Sequence, residues 1–381
     1  MPAAPPLAEV IAALERRYSP VWAEPWDAVG LVAGDPAAPV RRVHFAVDPV
    51  AAVADEAVAG NADLLVAHHP LFLTPVHGVP ATTAKGRLVY RLIRAGVALY
   101  VAHTNADVAD PGVSDALADV LGLDDVQPLC RADADPLDKL VTFVPHVDAD
   151  RLIDALAAAG AGAIGDYARC AWTTTGIGTF LPGAAASPAI GRPGEIEVVP
   201  ETRVEMVLPR ASRSAVLAAL RSAHPYEEPA YDMVELAARP GRRGLGRVGE
   251  LPGTTTLAEF TRVAARALPR TARGVRAAGN PARPVRRVAV CGGSGGDLAG
   301  AAAAAGADVL LTADLRHHPA SDVAEDGGVA LVDAAHWATE APWLPQAARH
   351  LRSDVADTVA TTVSAIVTDP WTISENAGSE P

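Results

Sequence analysis

Short apolar runs, separated by polar and alanine-rich stretches, open the chain. The runs Val43–Val47 and Leu64–Val66 have the length and the branched aliphatic content that are typical of buried strands. Between them, Val50–Ala59 has the composition of a helix, and Gly96–Leu99 leads into a third apolar run. This succession predicts strand–helix–strand–helix–strand, the pattern of an α/β layer around a largely parallel sheet.

The same pattern returns near the end of the chain. The recurring segments are Arg41-Arg42-Val43 with Arg286-Arg287-Val288, Ala62-Asp63 with Ala307-Asp308, and Gly96–Leu99 with Gly328–Leu331. The first two pairs lie 245 residues apart and the third 232, so the first copy has a connection 13 residues longer after its second strand. Chance identity in an alanine-rich sequence is the alternative. We predict an α/β fold in which two pseudo-repeated halves, residues 1–130 and 245–353, form one metal-binding core.

The stretch between the halves has a different order of elements. Its predicted strands are Leu140–Val144, Cys170–Thr175, Val204–Leu208 and Tyr231–Leu236, with helices near residues 152–156 and 212–222. The order β-α-β-β-α-β is typical of a ferredoxin-like α+β domain, which we place as an insertion at residues 138–237. We also predict a flexible, glycine-rich linker at Gly241–Arg247 and a disordered polar tail at residues 354–381.

Composition narrows the class of protein. The chain has 381 residues and is 50% hydrophobic, with a mean hydropathy of +0.16. It contains no uninterrupted apolar stretch of the roughly 18 residues that a transmembrane helix needs. Three well-separated cysteines, and an N-terminus without the features of a signal peptide, favour a cytoplasmic location. The net charge of −13 disfavours a nucleic-acid backbone as a steady partner.

Residue types that bind metals follow three of the predicted strands. His68 and His69 end the second strand of the first half, and Asp107 follows its third strand. His336 and Glu340 follow the third strand of the second half at a spacing of four, which puts both on one face of a helix. Because ligands of open α/β sheets gather at the carboxyl ends of the strands, we predict that these five side chains meet and hold two adjacent metal ions.

Each of these residues also has a purely structural interpretation. His69 suits a turn before Pro70, Asp107 suits a helix cap, and the pair at 336 and 340 suits an exposed helix face. Their coincidence at strand ends favours the metal site. Nitrogen and oxygen ligands without thiolate suit zinc, manganese or iron. Five ligands are too few to saturate two ions, which leaves positions for water that a metal makes acidic enough to attack.

Other motifs are secondary candidates. Residues expected to orient the metal ligands or a substrate phosphate are His103, His317 and His318. The glycine-rich segment Cys291–Asp297 is either a phosphate-binding loop or a tight turn, and it lacks the dinucleotide-binding spacing. His224, Glu227 and Glu228 allow another metal site, but a structured turn beside a proline is the favoured interpretation.

Several of these segments resemble the signature blocks of one protein family. The matching segments are Glu24–Leu31, His68–Phe72, His103–Asp107, Thr312–Asp314 and His336–Glu340. In this order, and over about residues 5–351, the chain resembles the GTP cyclohydrolase 1 type 2 homologue family, also called the Ngg-one-interacting-factor-three-like proteins. It departs from the family pattern at Ala28 and Ala313, where Asn and Gly are usual.

The resemblance implies a site, an assembly and an inserted domain. The dinuclear site of divalent ions that it implies is carried by His68, His69, Asp107, His336 and Glu340. It implies Glu340 as the bridge between the ions, and a toroidal homohexamer with the metals facing an internal cavity. The blocks Gly160–Tyr167, Gly176–Phe180 and His224–Glu228 resemble the PII/CutA-like insertion of longer family members.

The function that the resemblance implies is metal-dependent hydrolysis of a nucleotide-like substrate. The family name points to GTP, with the five-membered ring of the purine opened and formate released. No set of residues in the sequence specifically recognises guanine, so this substrate rests on the resemblance alone. A metal-dependent phosphoesterase would use the same five ligands. A non-catalytic metal-binding or regulatory protein is the alternative from another class.

Overall fold

The computed structural model describes residues 4–375, which divide into two compact units. Unit one contains the described residues up to Ala132 together with those from Arg242 onward. Unit two is Asp133–Gly241. The described residues form a mixed α/β structure with three sheets. No helix within residues 4–375 is long and apolar enough to cross a membrane.

The N-terminal part of unit one begins with an amphipathic helix and continues with the predicted alternation. Its elements are α1 (Leu7–Arg17), β1 (Gly30–Ala33), β2 (Arg42–Ala46), α2 (Ala51–Ala59), β3 (Leu64–Ala67), α3 (Ala84–Ala95), β4 (Ala98–Val101), α4 (Thr104–Asp107), α5 (Val113–Val120) and β5 (Asp124–Asp133). Every residue of β3 and β4 is buried. Continuous apolar runs of this kind are typical of parallel strands that are covered on both faces.

Unit two contains one sheet and two helices. Its elements are β6 (Leu137–Pro145), α6 (Ala149–Ala158), β7 (Trp172–Phe180), β8 (Glu197–Pro209), α7 (Arg213–Ala223) and β9 (Tyr231–Glu235). The four strands are antiparallel in the order β7-β8-β6-β9. A cluster of buried side chains from the helices and the sheet, which includes Leu152 and Val216, forms the core of this unit.

The rest of the chain builds the second sheet of unit one and returns to the first. Its elements are β10 (Pro240–Thr256), α8 (Leu257–Ala267), β11 (Arg276–Ala278), β12 (Pro284–Ser294), α9 (Ala299–Ala304), β13 (Val309–Ala313), α10 (His317–Asp326), β14 (Ala330–Ala334), α11 (His336–Glu340), α12 (Trp343–Asp354) and β15 (Ala360–Val363).

The two sheets of unit one share the order of their first four strands. The first is β1-β4-β3-β2-β15 and the second is β11-β14-β13-β12-β10-β5. In the first, β2, β3 and β4 are parallel and β1 pairs antiparallel with β4. In the second, β12, β13 and β14 are parallel and β11 pairs antiparallel with β14. One buried cluster contains side chains from both sheets, among them Phe45 and Val332.

The glycine-rich stretch that we expected to be a flexible linker is part of a strand. Gly241–Arg247 belongs to β10, and Arg247 pairs with Val290 of β12. The guanidinium of Arg247 is buried and donates to both carboxylate oxygens of Asp115 and to the carbonyl of Gly244. Composition indicated flexibility, but the strand pairing and this buried ion pair fix the segment.

The segment that we expected to be a disordered tail is partly ordered. β15 pairs parallel with β2, with Ala360 opposite Arg42 and Val363 opposite Phe45. This correction concerns the described residues up to 375, because residues 376–381 lie outside the described part of the chain. The reason for the error is that one edge strand of four residues gives only a weak sequence pattern, and its pairing partner lies more than 300 residues earlier.

Candidate metal centre

Two histidines leave the end of β3 and face one carboxylate. The ring of His68 is fully buried, and its Nδ1 donates to the carbonyl of Ala102 at 2.9 Å. The Nδ1 of His69 donates to Oδ1 of Asp48 at 2.7 Å. These bonds engage each Nδ1 on the outer side of the ring and leave each Nε2 facing the cluster. The centroids of the two rings lie 5.1 Å apart. Both histidines follow the last residue of β3, Ala67, so the alternation of side chains along the strand does not apply to them.

The end of β4 supplies a second histidine–carboxylate pair. His103 precedes α4, and its Nδ1 donates to Oδ1 of Asp27 at 2.9 Å. Asp27 also accepts hydrogen bonds from the backbone and the hydroxyl of Thr104, which hold it in place. Asp107 is the last residue of α4, and its Oδ1 lies 3.7 Å from Nε2 of His68. The short helix therefore turns both His103 and Asp107 towards the histidines of β3.

The end of β14 supplies the third group. His336 is the first residue of α11 and Glu340 its last. The Nδ1 of His336 donates to Oδ2 of Asp314 at 2.6 Å, while its Nε2 lies 2.8 Å from Oε1 of Glu340. Glu340 is only 3% exposed. The spacing of four brings both side chains to one place, as the sequence predicted.

Glu340 is the centre of the cluster. Its Oε1 lies 3.5 Å from Nε2 of His68, and its Oε2 lies 3.2 Å from Nε2 of His69. With His336, three imidazole nitrogens thus face the two oxygens of one carboxylate. Two triads of residues could each hold a metal, because the potential ligand atoms within each triad lie within 4.8 Å of one another. The first triad is His68, His69 and His103, and the second is His69, His336 and Glu340. His69 belongs to both.

These residues fit a bound cation. Nε2 of His68, Oδ1 of Asp107 and Oε2 of Glu340 are buried and make no hydrogen bond within the described chain. Buried polar atoms without a partner are rare and costly. Two atoms that each lie about 2.1 Å from one zinc ion, at the tetrahedral angle, are about 3.4 Å apart. The distances of 3.5 and 3.2 Å from the histidines to Glu340 match that separation.

The electrostatics of the cluster favour a cation as well. Burial disfavours a charge on His69, but the carboxylates of Glu340 and Asp48 outweigh it and raise its pKa to about 11. Burial raises the pKa of Asp107 to about 6. Burial, together with the neighbouring histidines, lowers the pKa of His103 to about 4, so its ring is neutral and can donate a lone pair. Carboxylates that stabilise a proton on His69 this strongly would also stabilise a metal cation in its place.

The glycine-rich loop after β12 packs against this cluster. Gly293 has φ +68°, and a Cβ there would lie 2.5 Å from Oε1 of Glu340. Its amide donates to Oγ1 of Thr339, and the amide of Gly295 donates to Oγ1 of Thr312. Because these amides are bonded within the protein, the structure favours the tight turn over the phosphate-binding loop. The loop needs glycine because the carboxylate lies so close.

A cavity of about 250 Å³ opens beside the cluster. Its walls include His69 and His336 on one side and residues Thr368–Trp371 on another. Arg273 also lines it, and its guanidinium lies 2.7 Å from Oδ2 of Asp333. The candidate ligands are therefore reachable from outside the buried core.

The structure brings together all five residues that the sequence assigned to the metal, and it adds His103. The sequence placed His103 only in a supporting role, yet it precedes Asp107 by four residues, the same spacing as His336 and Glu340. That shared spacing was the sequence signal that could have added His103 to the candidate group. The exposed His317 and His318 meet edge to face on α10 and belong to neither triad of the described residues.

The histidine of the middle unit is part of a turn. Nε2 of His224 donates to the carbonyl of Phe143 at 3.0 Å, and its Nδ1 accepts from the amide of Tyr226 at 3.1 Å. Both ring nitrogens are therefore engaged. This is the structured turn that the sequence favoured over another metal site.

Comparison with known proteins places the chain in a family. The family described as Duf34/NIF3 (NGG1p interacting factor 3) matches residues 5–370. The chain belongs to this family. Similar NIF3-family proteins include one from Mycobacterium tuberculosis, named GTP cyclohydrolase 1 type 2 homolog, which is 50% identical over 376 residues and covers 98% of each chain. A Bacillus subtilis protein of the same name is 40% identical over 326 residues, 85% of this chain and 87% of its own.

A solved structure agrees with that assignment. The Bacillus cereus protein related to NIF3 superposes with a TM-score of 0.82 at 35% identity, over 97% of this chain and all of the other. The sequence-based resemblance to the GTP cyclohydrolase 1 type 2 homologue family is thereby confirmed. The His/Glu cluster of this NIF3-family protein is a possible metal-binding group.

Proposed function

We propose that this protein binds two divalent metal ions and uses them to hydrolyse a nucleotide-like substrate. The proposed ligands are those that the sequence assigned: His68, His69, Asp107, His336 and Glu340. One observation carries the proposal: three imidazole Nε2 atoms face the two oxygens of Glu340, whose carboxylate is almost fully buried. A carboxylate with each oxygen facing different ligands suits a bridge between two ions.

The protein's own groups prepare this site. Asp48, Asp314 and the Ala102 carbonyl hold the outer nitrogens of three histidines, so the inner nitrogens need no reorientation when metal binds. The Asp27–His103 pair adds a neutral imidazole beside His68 and His69. Bound divalent ions supply acidified water and stabilise developing negative charge. The ligand set is too small to close both coordination spheres, which favours chemistry over storage.

The size of the cavity limits the part of a substrate that reaches the cluster. About 250 Å³ lies just below the range of roughly 300–1,000 Å³ that is typical of ligand pockets. We propose that the reacting part of a nucleotide enters while the remainder stays outside. The substrate GTP itself comes from the names of the relatives, which are called homologues of a GTP cyclohydrolase.

The finer features of the fold belong to the same proposal. The common strand order of the two sheets of unit one supports a pseudo-repeat. The β-α-β-β-α-β order of unit two, with strand order β7-β8-β6-β9, supports a ferredoxin-like insertion of the PII/CutA type. A toroidal homohexamer, which rests on the family resemblance, completes the proposal. The cytoplasmic location rests on the separated cysteines and the features of the N-terminus.

The test is incubation of metal-loaded protein with GTP, followed by mass analysis of the products. Ring opening with release of formate supports the cyclohydrolase-type activity, and release of phosphate supports a phosphoesterase. The Asp107→Ala variant must lose the activity, whereas the His317→Ala variant, in an exposed histidine outside the cluster, must keep it. Turnover that persists in Asp107→Ala contradicts the proposed site. No turnover on any nucleotide, with metal bound, would support the non-catalytic alternative.

A further inference from the structure

The chain that follows β15 runs along unit one towards the metal centre. β15 lies beside β2 and parallel to it, and the amide of Ser364 extends the ladder by donating to the carbonyl of Phe45 at 2.8 Å. The hydroxyl of Ser364 donates to Glu56 of α2. The segment Ser364–Trp371, which we name the C-terminal segment, therefore starts at the carboxyl end of β2, the same end that delivers Asp48.

The C-terminal segment contacts the partner of a metal ligand. The hydroxyl of Thr368 donates to Oδ2 of Asp48, while Oδ1 of the same carboxylate accepts from Nδ1 of His69 at 2.7 Å. Asp48 thus has one oxygen for the histidine and one for the threonine. The threonine hydroxyl therefore contacts the same carboxylate that binds the ring of His69.

The same segment forms one side of the cavity beside the metal centre. Thr368, Asp369, Pro370 and Trp371 line it, together with His69. Asp369 is only 7% exposed, and its Oδ2 is buried without a hydrogen-bond partner in the described chain. Burying the carboxylate of Asp369 costs free energy, so the C-terminal segment must be held in place by its other contacts.

We propose that the C-terminal segment is a working part of the metal centre. Thr368 is a positioning residue that acts through Asp48 to fix the ring of His69, and the segment covers the cavity through which an ion leaves. This inference rests on the proposed binding of metal at His69. It assigns a role to residues about 300 positions away from the histidine pair, outside every motif that the sequence indicated.

The test measures metal release from the full-length, zinc-loaded protein to the coloured chelator 4-(2-pyridylazo)resorcinol. Thr368→Val keeps the shape of the side chain but removes the hydroxyl. The ion bound by His69 should then be released at least roughly tenfold faster, the lower end of the effect of losing a residue that orients a metal ligand. Thr368→Ser retains a hydroxyl and should behave like the unaltered protein. Thr361→Val, on β15 and outside the cavity, is the matched control.

A coupling measurement separates positioning from general damage. Asp48→Asn should also speed release, and the double variant with Thr368→Val should be no faster than Asp48→Asn alone, because both act through one carboxylate. Release from Thr368→Val at the unaltered rate, or additive effects in the double variant, would overturn the inference. If the unaltered protein binds no zinc, the proposed function fails instead. Removal of residues 364–381 should speed release further, because the cavity then loses one wall.

Discussion

The Nε2 atom of His336 lies 2.8 Å from Oε1 of Glu340, one helical turn further along α11. The other oxygen of Glu340 faces His69, which comes from the other sheet of unit one. The carboxylate of Glu340 thus contacts histidines that follow parallel strands of both sheets of unit one. This relationship makes Glu340 the residue on which both proposed ions depend.

Replacing Glu340 with glutamine should therefore affect both ions. The amide has nearly the same shape but lacks the charge that holds the cations. We expect affinity for both ions to fall by more than about 100-fold, beyond the range for outer partners of ligands. Isothermal titration with zinc measures this. Glu259→Gln, at an exposed glutamate of α8 that pairs with Arg262, is the control. Loss of only one ion in Glu340→Gln would contradict the bridging role.

Gly293 should tolerate no side chain. A Cβ would lie 2.5 Å from Oε1 of Glu340 and 3.1 Å from Nε2 of His336, and its φ of +68° is strained for other residues. Gly293→Ala should lower metal affinity by about tenfold or more, as misplacement of a ligand does. It should also lower stability by about 1–2 kcal/mol. Gly300→Ala is a suitable control, because a Cβ there meets nothing within 4 Å. Equal affinity in both variants would show that the loop does not constrain Glu340.

The strands and the meeting of the candidate metal ligands were predictable, whereas the supporting contacts were not. Leu64–Ala67 is a short apolar run, and a run of this kind that ends in two histidines carries a local signal. The inward position of His103 depends on Asp27, which lies 76 residues earlier. The role of Thr368 depends on Asp48, which lies 320 residues earlier. Such pairs follow from tertiary packing, and no period in the sequence reports them.

The composition of Gly241–Arg247 gave a wrong prediction for a related physical reason. Gly241–Arg247 has the residues of a flexible linker, but strand pairing and the buried pair of Arg247 with Asp115 fix it. A strand forms when its backbone has a partner to pair with, and glycine allows two backbones to lie closer together than a side chain would permit. At Gly244, φ is +159°, and a Cβ would lie 2.2 Å from the carbonyl oxygen of Cys130. The partner, and not the composition, decides the structure there.

Acid should destabilise the protein partly through Asp138 of unit two. Its side chain is buried, and hydrogen bonds from Arg213 and then Arg210 hold its pKa below the ordinary value. A carboxyl whose pKa is lower in the folded state stabilises the fold above its unfolded pKa of about 3.9, and this contribution is lost as the pH falls through the folded value.

The measurement is urea unfolding of the unaltered protein and of Asp138→Asn between pH 7 and pH 2. At pH 7 the variant should be less stable by about 2 kcal/mol, the scale of hydrogen bonds to charged groups. That difference should shrink below about pH 4, where the carboxyl of the unfolded chain takes up a proton, and it should disappear below the lower pKa of the folded carboxyl. Asp154→Asn, in an exposed pair with Arg169, should change little at any pH. A difference that is independent of pH would refute the role of the charge.

Unit two should contribute to assembly. β7 is an edge strand of its sheet, and Trp172 and Ile177 on it are 58% and 73% exposed. An edge strand that exposes apolar side chains favours pairing with another chain. Light scattering after gel filtration should show a hexamer, and Ile177→Glu should yield smaller species, while Val147→Glu, at another exposed position, should not. A monomer at micromolar concentration would contradict the proposed assembly.

The most direct test of the central claim is the metal content of the purified protein. Elemental analysis after dialysis against buffer with zinc should give about two ions per chain for the unaltered protein and for His317→Ala. It should give clearly fewer ions for His68→Ala. It should also give fewer for His103→Ala, because that ring belongs to one of the two triads. A result of two ions per chain in His68→Ala, or none in the unaltered protein, would contradict the dinuclear site on which the proposed function depends.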